Sequence, residues 1–435
     1  MEIVRLINQI LSIIFLICYA YQFVYLLVPF FLKKPKPEPG KLHSFAVLIS
    51  ARNEEAVIAN LLQSIRAQNY PQDKLSVFVV ADNCTDATAD IARREGAIVW
   101  EREDSRRVGK GYALDYLLQK ISDTYPPEAF DGYFIFDADN LLDENYVREM
   151  NNTFSSGYRI VTSYRNTKNF GSNWISAGYA IWFLREAKYV NYPRMLLGTS
   201  CAVSGTGFLF HRDILTRSGG WKFFLLTEDI EFTVSNILAG EKIGYCGSAV
   251  FYDEQPTSFR QSCRQRMRWS KGFLQVFHKY GVRLLQGIGC GRGFACYDMT
   301  MTLFPAIVLT MISIFVNFIS LLLGVWSFQY MIGALQSLGE MLLGAYIILF
   351  TIGTITTITE WKQIHSKARY KIFYLFTFPI FMFTYIPISF IALFRRVEWK
   401  PIRHDQSKTL EEVRGAFAKY APVKEENRLT PPSDK

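Results

Sequence analysis

The chain contains no Cys-x-x-Cys pair. Its seven cysteines, Cys18, Cys84, Cys201, Cys246, Cys263, Cys290 and Cys296, are odd in number and widely spaced, which argues against a disulfide framework or a zinc site and for a reducing compartment. Cys84 and Cys263 read as packing residues. No repeat unit recurs, so a solenoid or propeller is not expected. No small-x-small site follows the first apolar run, so that run is not read as a cleaved leader. Charge is also scarce late in the chain: 20% of residues are charged overall, but they thin sharply after Asp298.

What is present sorts into two kinds of sequence. Hydrophobic residues make up 50% of the chain, with 35 Phe and 24 Tyr, yet the mean hydropathy is only +0.08. The hydrophobicity is therefore concentrated, as in a soluble domain joined to membrane spans. A chain of 435 residues has room for both. The net charge of +9 gathers beside apolar segments, which points to lipid headgroups and nucleotide phosphates as partners and not to nucleic acid.

Residues 3–32 are apolar for long enough to span, since a span needs about 20 residues. Lys33, Lys34 and Lys36 follow, marking the cytoplasmic side. The expected organisation is an anchor at 1–33, a Pro-rich linker at 34–44, a catalytic domain at 45–272 and an interfacial segment at 273–300. About three membrane helices at 301–395 and a basic, then polar tail at 396–435 complete it. Within the domain, residues 45–50, 76–81, 98–100 and 133–136 read as strands. Residues 54–68, a segment capped by Thr85 and running to 95, and 111–122 read as helices. Strand and helix in alternation predict an α/β fold with a mostly parallel sheet and helices on both faces. Ligands then sit at the carboxyl ends of the strands.

Three later regions leave alternatives open. The aromatic-rich stretch 173–197 fits a helix lying on the membrane or an ordinary buried helix. Segments 301–328, 331–358 and 372–394 are each long enough to cross, and three crossings would put the tail outside. The tail is basic around Arg395, Arg396, Trp399, Lys400 and Arg403, which favours inside. Pro379 and Pro387 break the last segment, so a re-entrant or interfacial segment is the alternative to a full span. From Gln406 onward the chain reads as weakly ordered.

The residues suited to chemistry fall at predicted strand ends. Asp137 and Asp139 are hard oxygen ligands one residue apart, able to hold Mg²⁺ or Mn²⁺ and through it a diphosphate; the bland alternative is a solvated turn. Asp82 can accept from a base or ribose, or make an Asx turn. Arg52 and Glu54 share that edge, and Lys110, between Gly109 and Gly111, offers a cation to a phosphate. Glu228 and Asp229 follow Thr227 at a helix start. Either can take a proton from an attacking hydroxyl, or they merely complement the helix dipole. In the stretch from Gln265 to Trp269, guanidinium forks suit phosphate oxygens and the indole suits a sugar face.

In order, Asp82, Asp137 with Asp139, Glu228 with Asp229, and Gln265 to Trp269 resemble the processive family-two glycosyltransferases: cellulose, chitin, hyaluronan and poly-N-acetylglucosamine synthases. The resemblance runs by motif from Phe45 to Gly272 and by membrane segments to Phe394. It implies a GT-A catalytic domain, Rossmann-like, joined to transmembrane helices in the plasma membrane with the domain cytoplasmic. Asp82, Arg52 and Glu54 would line the uridine end, and Lys110 would reach a phosphate. Asp139 aided by Asp137 would hold the metal, and Asp229 beside Glu228 would be the base. Gln265, Arg268 and Trp269 would place the pyrophosphate and the acceptor sugar, with Gly205 in a small-residue loop beside the acceptor. Trp399, Lys400 and Arg403 resemble a Trp-plus-basic motif found after the last membrane segment. The implied reaction is inverting transfer from a UDP-sugar, UDP-GlcNAc or UDP-Glc, to a growing β-linked glycan. Alternatives are one sugar added to a lipid, or a non-catalytic scaffold. The chain departs from cellulose synthase in having no recognisable cyclic-dinucleotide domain or gating-loop sequence, and few helices for a wide pore, so accessory export subunits are a possible partner.

Overall fold

The computed structural model describes residues 2–33, 37–291, 293–324, 328–402, 404 and 406–418. Lys34, Lys36, Arg403 and the last part of the polar tail lie outside the described residues. The first apolar run is helical throughout as α1 (Glu2–Phe31). Then β1 (Phe45–Ala51), α2 (Ile58–Arg66), β2 (Leu75–Asp82), α3 (Thr88–Arg94), β3 (Ile98–Arg102), α4 (Lys110–Thr124) and β4 (Gly132–Asp137) alternate as expected. In α2 the apolar residues Ile58, Leu61, Leu62 and Ile65 are the buried ones, one stripe laid on the sheet. Thr85 does not cap α3, which starts later. Asp86 accepts from the Thr88 amide at 3.1 Å, while the Thr85 amide donates to Asn53 Oδ1 at 2.8 Å.

The domain continues through β5 (Leu141–Leu142), α5 (Tyr146–Ser155), β6 (Ile160–Thr167) and α6 (Trp174–Glu186). A π-helical turn at Ala187–Asn191 leads into α7 (Tyr192–Leu196), followed by β7 (Phe208–His211), α8 (Arg212–Ser218), α9 (Glu228–Leu238) and β8 (Ile243–Asp253). The eight strands form one sheet in the order β3-β2-β1-β4-β7-β6-β8-β5. The first four are parallel, and so are β6 and β8. β7 runs against β4 and β6, and β5 against β8, so the parallel half is as expected and the other half is mixed. Buried layers cover both faces, with Leu48, Phe78 and Phe232 in one and Ile49, Ile58 and Phe134 in the other.

Beyond the sheet come α10 (Phe259–Ile288), α11 (Gly293–Leu303), α12 (Pro305–Gly324), α13 (Phe328–Thr359), α14 (Ala368–Phe383), α15 (Tyr385–Phe394) and α16 (Leu410–Ala418). Among the described residues four stretches are long and apolar enough to cross a membrane: Leu6–Phe31, Gly293–Leu322, Met331–Thr359 and Ala368–Phe394. α10 is one unbroken helix of 30 residues through position 272, about 45 Å long. The aromatic stretch forms α6, a buried helix whose start Asn173 caps by accepting from the Ile175 and Ser176 amides. Its partner is apolar α14: Gly178 lets the Phe381 ring approach so closely that a Cβ there would stand 2.4 Å from it.

The last apolar stretch breaks at Thr384, between α14 and α15. Both of its ends touch the catalytic domain. Before it, Asn166 Nδ2 donates to the Gln363 carbonyl at 2.9 Å, and within its first half Tyr374 packs edge-on against Phe170. After it, Trp399 lies 5.6 Å from the Arg52 guanidinium. The start of the tail therefore packs on the catalytic domain. Residues 410–418, expected to be weakly ordered, are the docked helix α16. Val413 is buried against Leu141 and Tyr252, and Arg414 pairs with Asp143 and Glu144.

Candidate active site

Parallel register brings the expected strand-end residues to one edge. Ser50 lies opposite Asp137, Ala51 opposite Ala81 and Asp82 opposite Arg102. The turns after β1 and β2 pass through Asn53 and Asn83 with φ of 57° and 52°, conformations that asparagine tolerates better than most residues. Arg52 keeps its Nη1 buried without a hydrogen-bond partner among the described residues. Asp82 is instead already engaged, in a buried ion pair with Arg102. Burial raises its pKa and Arg102 pulls it back.

Lys110, the first residue of α4, connects the acidic pair to the small-residue loop. Its ammonium pairs with Asp137 and donates to the Gly205 carbonyl at 2.8 Å. Gly111 lets the 223–224 backbone pack on the first turn of α4, because a Cβ there would stand 2.2 Å from the Phe223 carbonyl oxygen. Asp139 is buried, and its Oδ2 accepts from the Glu254 amide at 2.8 Å. Asn140 donates to Asp253 at 3.0 Å. Asp253 accepts from Arg165 Nε at 2.9 Å, and Arg165 Nη1 donates to the Ser204 carbonyl at 3.1 Å. Burial pushes Asp253 up to about 6 against the pull of Arg165. This chain of contacts ties the acidic pair to the 204–206 loop.

The pair fits a hard divalent cation. Lys110 takes one Asp137 oxygen and the Glu254 amide takes one of Asp139; among the described residues no hydrogen bond is recorded to the second Asp137 oxygen, and Asp139 also meets Asn140 at 3.4 Å and the Asp253 carboxyl. Among the described residues no group of three His, Cys, Asp or Glu side chains is arranged to hold a metal. The protein would supply carboxylate oxygens, and phosphate and water oxygens the remainder, the usual division for Mg²⁺ in nucleotide sites.

Glu228 and Asp229 open α9 on the other side of the loop. A Cβ on Gly205 would lie 3.8 Å from Asp229 Oδ2. Burial raises both acids, Glu228 to about 7 with the Asp229 charge adding to the effect, while Lys110 and Arg268 pull both back. Groups this close titrate as a pair. Thr227 occupies the cap position but makes no capping bond. Its hydroxyl is buried without a partner among the described residues, pressed against Gly272 of α10, where a Cβ would stand 2.5 Å away.

α10 brings Arg268 to the acidic pair and sets Trp269 against α6. The Arg268 charge acts on Glu228 and Asp229, and Gln265 Oε1 is buried without a partner among the described residues. Trp269 packs edge-on to Tyr179 and Phe183, ring centroids 5.7 and 6.2 Å away. Arg260 and Arg264 are exposed, as expected for residues facing lipid or solvent, but Arg266 is fully buried. Arg266 Nη1 donates to the Phe381 carbonyl at 3.1 Å and to Thr384 Oγ1, groups at the break between α14 and α15. Its guanidinium lies 4.5 Å from the Phe381 ring and 4.9 Å from that of Tyr385. Arg266 thus pins a helix break.

Arg165, Asp253 and His404 were not foreseen. Arg165 and Asp253 stand near the carboxyl ends of β6 and β8, where the strand-end rule finds them once those strands are recognised. His404 carries no local signal. It arrives on the segment after α15, with Nδ1 3.0 Å from both Glu54 oxygens. Burial alone would lower it, but Asp139, Glu54 and Glu254 hold it up at about 10. Gln406 follows, its amide donating to Glu254 at 3.2 Å. Trp399, His404 and Gln406 thus form a strap of contacts at the Arg52, Glu54 and Glu254 end of the cleft.

Residues 43–272, more than half of the chain, match the family described as "Glycosyltransferase like family 2". A beta-monoglucosyldiacylglycerol synthase of Synechocystis is 27% identical over 240 residues, covering 54% of this chain and 48% of the relative. A poly-beta-1,6-N-acetyl-D-glucosamine synthase of Staphylococcus aureus is 24% identical over 250 residues, covering 56% and 58%. The chain thus spans about half the length of the curated relatives it matches. Among solved structures, mannosyltransferase PcManGT of Pyrobaculum calidifontis, in complex with GDP-Man and Mn²⁺, shares the fold with a TM-score of 0.52 at 17% identity, over 89% of this chain and 99% of that one.

Proposed function

From the premise that the chain belongs to glycosyltransferase family 2, we propose that it transfers a sugar from a UDP-sugar, UDP-GlcNAc or UDP-Glc, to the end of a growing β-linked glycan at a membrane. The observation that carries this reading is the meeting in one cleft of Asp229, the Gly205 loop, Lys110 with Asp137, and Arg268 of α10. Asp229 accepts the proton of the acceptor hydroxyl as that oxygen bonds to the anomeric carbon and the bond to UDP breaks. A single displacement inverts the anomeric centre. Lys110 and Arg268 offset the negative charge gathering on the departing diphosphate. Gln265 and Arg52, whose buried polar atoms lack partners among the described residues, bind the diphosphate and the uridine end. Asp82 reaches the uridine as an already oriented carboxylate, held by Arg102. A divalent cation at Asp137 and Asp139 supplies further charge neutralisation. The domain faces the cytoplasm, beneath the plasma membrane.

A second reading, one sugar added to a lipid, draws on the apolar pair α14–α15 that closes the cleft beside Trp269 and Tyr179, and on the glucosyldiacylglycerol synthase relatives. Purified protein incubated with labelled UDP-GlcNAc or UDP-Glc, followed by sizing of the product, separates the two. A ladder of glycans supports the first, and a single-sugar lipid product replaces it with the second. No transfer from any UDP-sugar in a panel overturns both.

A further inference from the structure

A cavity of about 640 Å³ lies where α1, α11 and the carboxyl end of α9 meet. Asp229 is in the first turn of α9, whereas Ile237 in its last turn and Gly240 just beyond it line this cavity. At 1.5 Å per helical residue that is roughly 12 to 16 Å from the catalytic acid, so the cavity is separate from the cleft. Its size is that of a small-molecule site.

The walls are amphiphilic. On one side Val24, Leu197 and Phe294 line it and remain 52%, 45% and 44% exposed. Val24 lies in one membrane-length helix and Phe294 in another, so this side opens toward lipid. On the other side stand Lys242 and Glu241. Glu241 is neutralised by Arg217 and Arg159. Lys242 has no ion pair among the described residues, which leaves a net positive charge. Thr199 also lines the cavity, and its hydroxyl is buried without a hydrogen-bond partner among the described residues. A buried donor left unsatisfied is costly; an anionic oxygen at Lys242, whose Nζ would lie 3.8 Å from a Cβ on neighbouring Gly198, would satisfy the hydroxyl once the Thr199 side chain turns into the cavity.

We propose that this cavity binds one phospholipid with an anionic headgroup, its phosphate at Lys242 and Thr199 and an acyl chain against Val24, Leu197 and Phe294. A soluble phosphate ester would meet the same cation and hydroxyl but leave the exposed apolar side uncovered, at a cost of about 25 cal/mol per Å² of apolar area. The lipid joins the membrane to the far end of the helix that begins with Glu228 and Asp229.

The test uses the full chain in nanodiscs of phosphatidylcholine doped with phosphatidylglycerol, released into the gas phase and weighed by native mass spectrometry. One phosphatidylglycerol is expected to remain bound after loosely held lipids are stripped. Lys242→Gln should weaken its retention about fivefold, the factor expected for one cation near an anionic headgroup. Val24→Trp, which fills the apolar side and leaves the charge alone, should weaken it as well. Circular dichroism and gel filtration establish that both variants are folded. Equal retention by both folded variants and the unchanged protein overturns the proposal. So does displacement of the lipid by millimolar glycerol phosphate, which would mark a headgroup site without a lipid. Because the readout is binding, it stands independently of sugar transfer.

Discussion

Gly272 offers a sharp test of how α10 governs the catalytic acids. A Cβ at this position would stand 2.5 Å from both Thr227 Oγ1 and Cγ2 and 2.9 Å from Thr227 Cβ. Carbon contacts are comfortable at about 3.5 Å, so Gly272→Ala requires a shift of about 1 Å between α10 and the start of α9. Rotating Thr227 does not suffice, because its own Cβ is among the atoms met. Overpacking of this kind costs about 1 to 3 kcal/mol, and alanine's helix preference over glycine returns about 1 kcal/mol. Stability should therefore fall by only about 0 to 2 kcal/mol. Activity is far more sensitive, since displacing a catalytic group by about 1 Å can cost 100-fold in rate. The expected signature is kcat lower by about 100-fold, with UDP affinity nearly unchanged and Tm lower by no more than a few degrees. Thr227→Ala should restore part of the lost rate in the double variant, because it removes Oγ1 and Cγ2, the two nearest atoms, and leaves only the Cβ contact at 2.9 Å. Alone it should be mild, since the Thr227 hydroxyl makes no hydrogen bond among the described residues. Full activity in Gly272→Ala, or no rescue in the double variant, would refute the coupling of α10 to Asp229.

Asp229→Asn should lower kcat by about 10²- to 10⁴-fold, the worth of a positioned base, with UDP binding by calorimetry retained; an active variant removes Asp229 from the role. The base works deprotonated, and burial raises the Glu228–Asp229 pair, Glu228 to about 7, so kcat should rise with pH through neutrality and then level. A rate flat down to pH 5 would contradict this. The same raised pKa means that the pair's contribution to stability is present below the unfolded value of 4.5 and is lost as pH rises through about 7. Glu228→Gln should therefore gain Tm relative to the unchanged protein at pH 8 and not at pH 4; an equal effect at both would point to packing instead. Chelating divalent cations should abolish transfer and added Mn²⁺ or Mg²⁺ restore it, and full activity in excess chelator would argue against a metal at Asp137 and Asp139.

The parallel half of the sheet was legible because each element carries its own signal. β1 and β2 are short apolar runs buried on both faces, and α2 repeats its apolar residues with helical spacing, so the edge holding Arg52, Asp82 and Asp137 could be placed before any coordinates. Where the reading missed, the deciding contacts are remote in sequence. Thr227 looks like a helix cap, but its hydroxyl faces a glycine of α10 instead of an amide. Arg266 looks like a surface cation within a basic run, and only the broken helix 115 residues later gives its guanidinium acceptors. His404 meets Glu54 across 350 residues, a distance no local pattern reports.

The same remoteness explains why the count of crossings and the charge of the tail disagreed. Counting each apolar stretch as a crossing treats length as sufficient, but a stretch whose middle packs on protein can also be held there without crossing. In the stretch Ala368–Phe394, 39% of the most apolar window is buried inside the protein, against 6% for the first candidate span. Phe381 fills the space left by Gly178, and Ser270 and Ser389 share a hydrogen bond at 3.1 Å. Carbonyls freed by the break near Thr384 would be costly in lipid, yet here the Phe381 carbonyl is met by Arg266. A segment held by protein on one side, broken in the middle and satisfied by a buried arginine can return to the side it left. In this fold residues on both flanks touch one domain. The basic tail is then compatible with a cytoplasmic domain, and the strap bearing Trp399 and His404 can reach the cleft because the preceding helices do not carry it away.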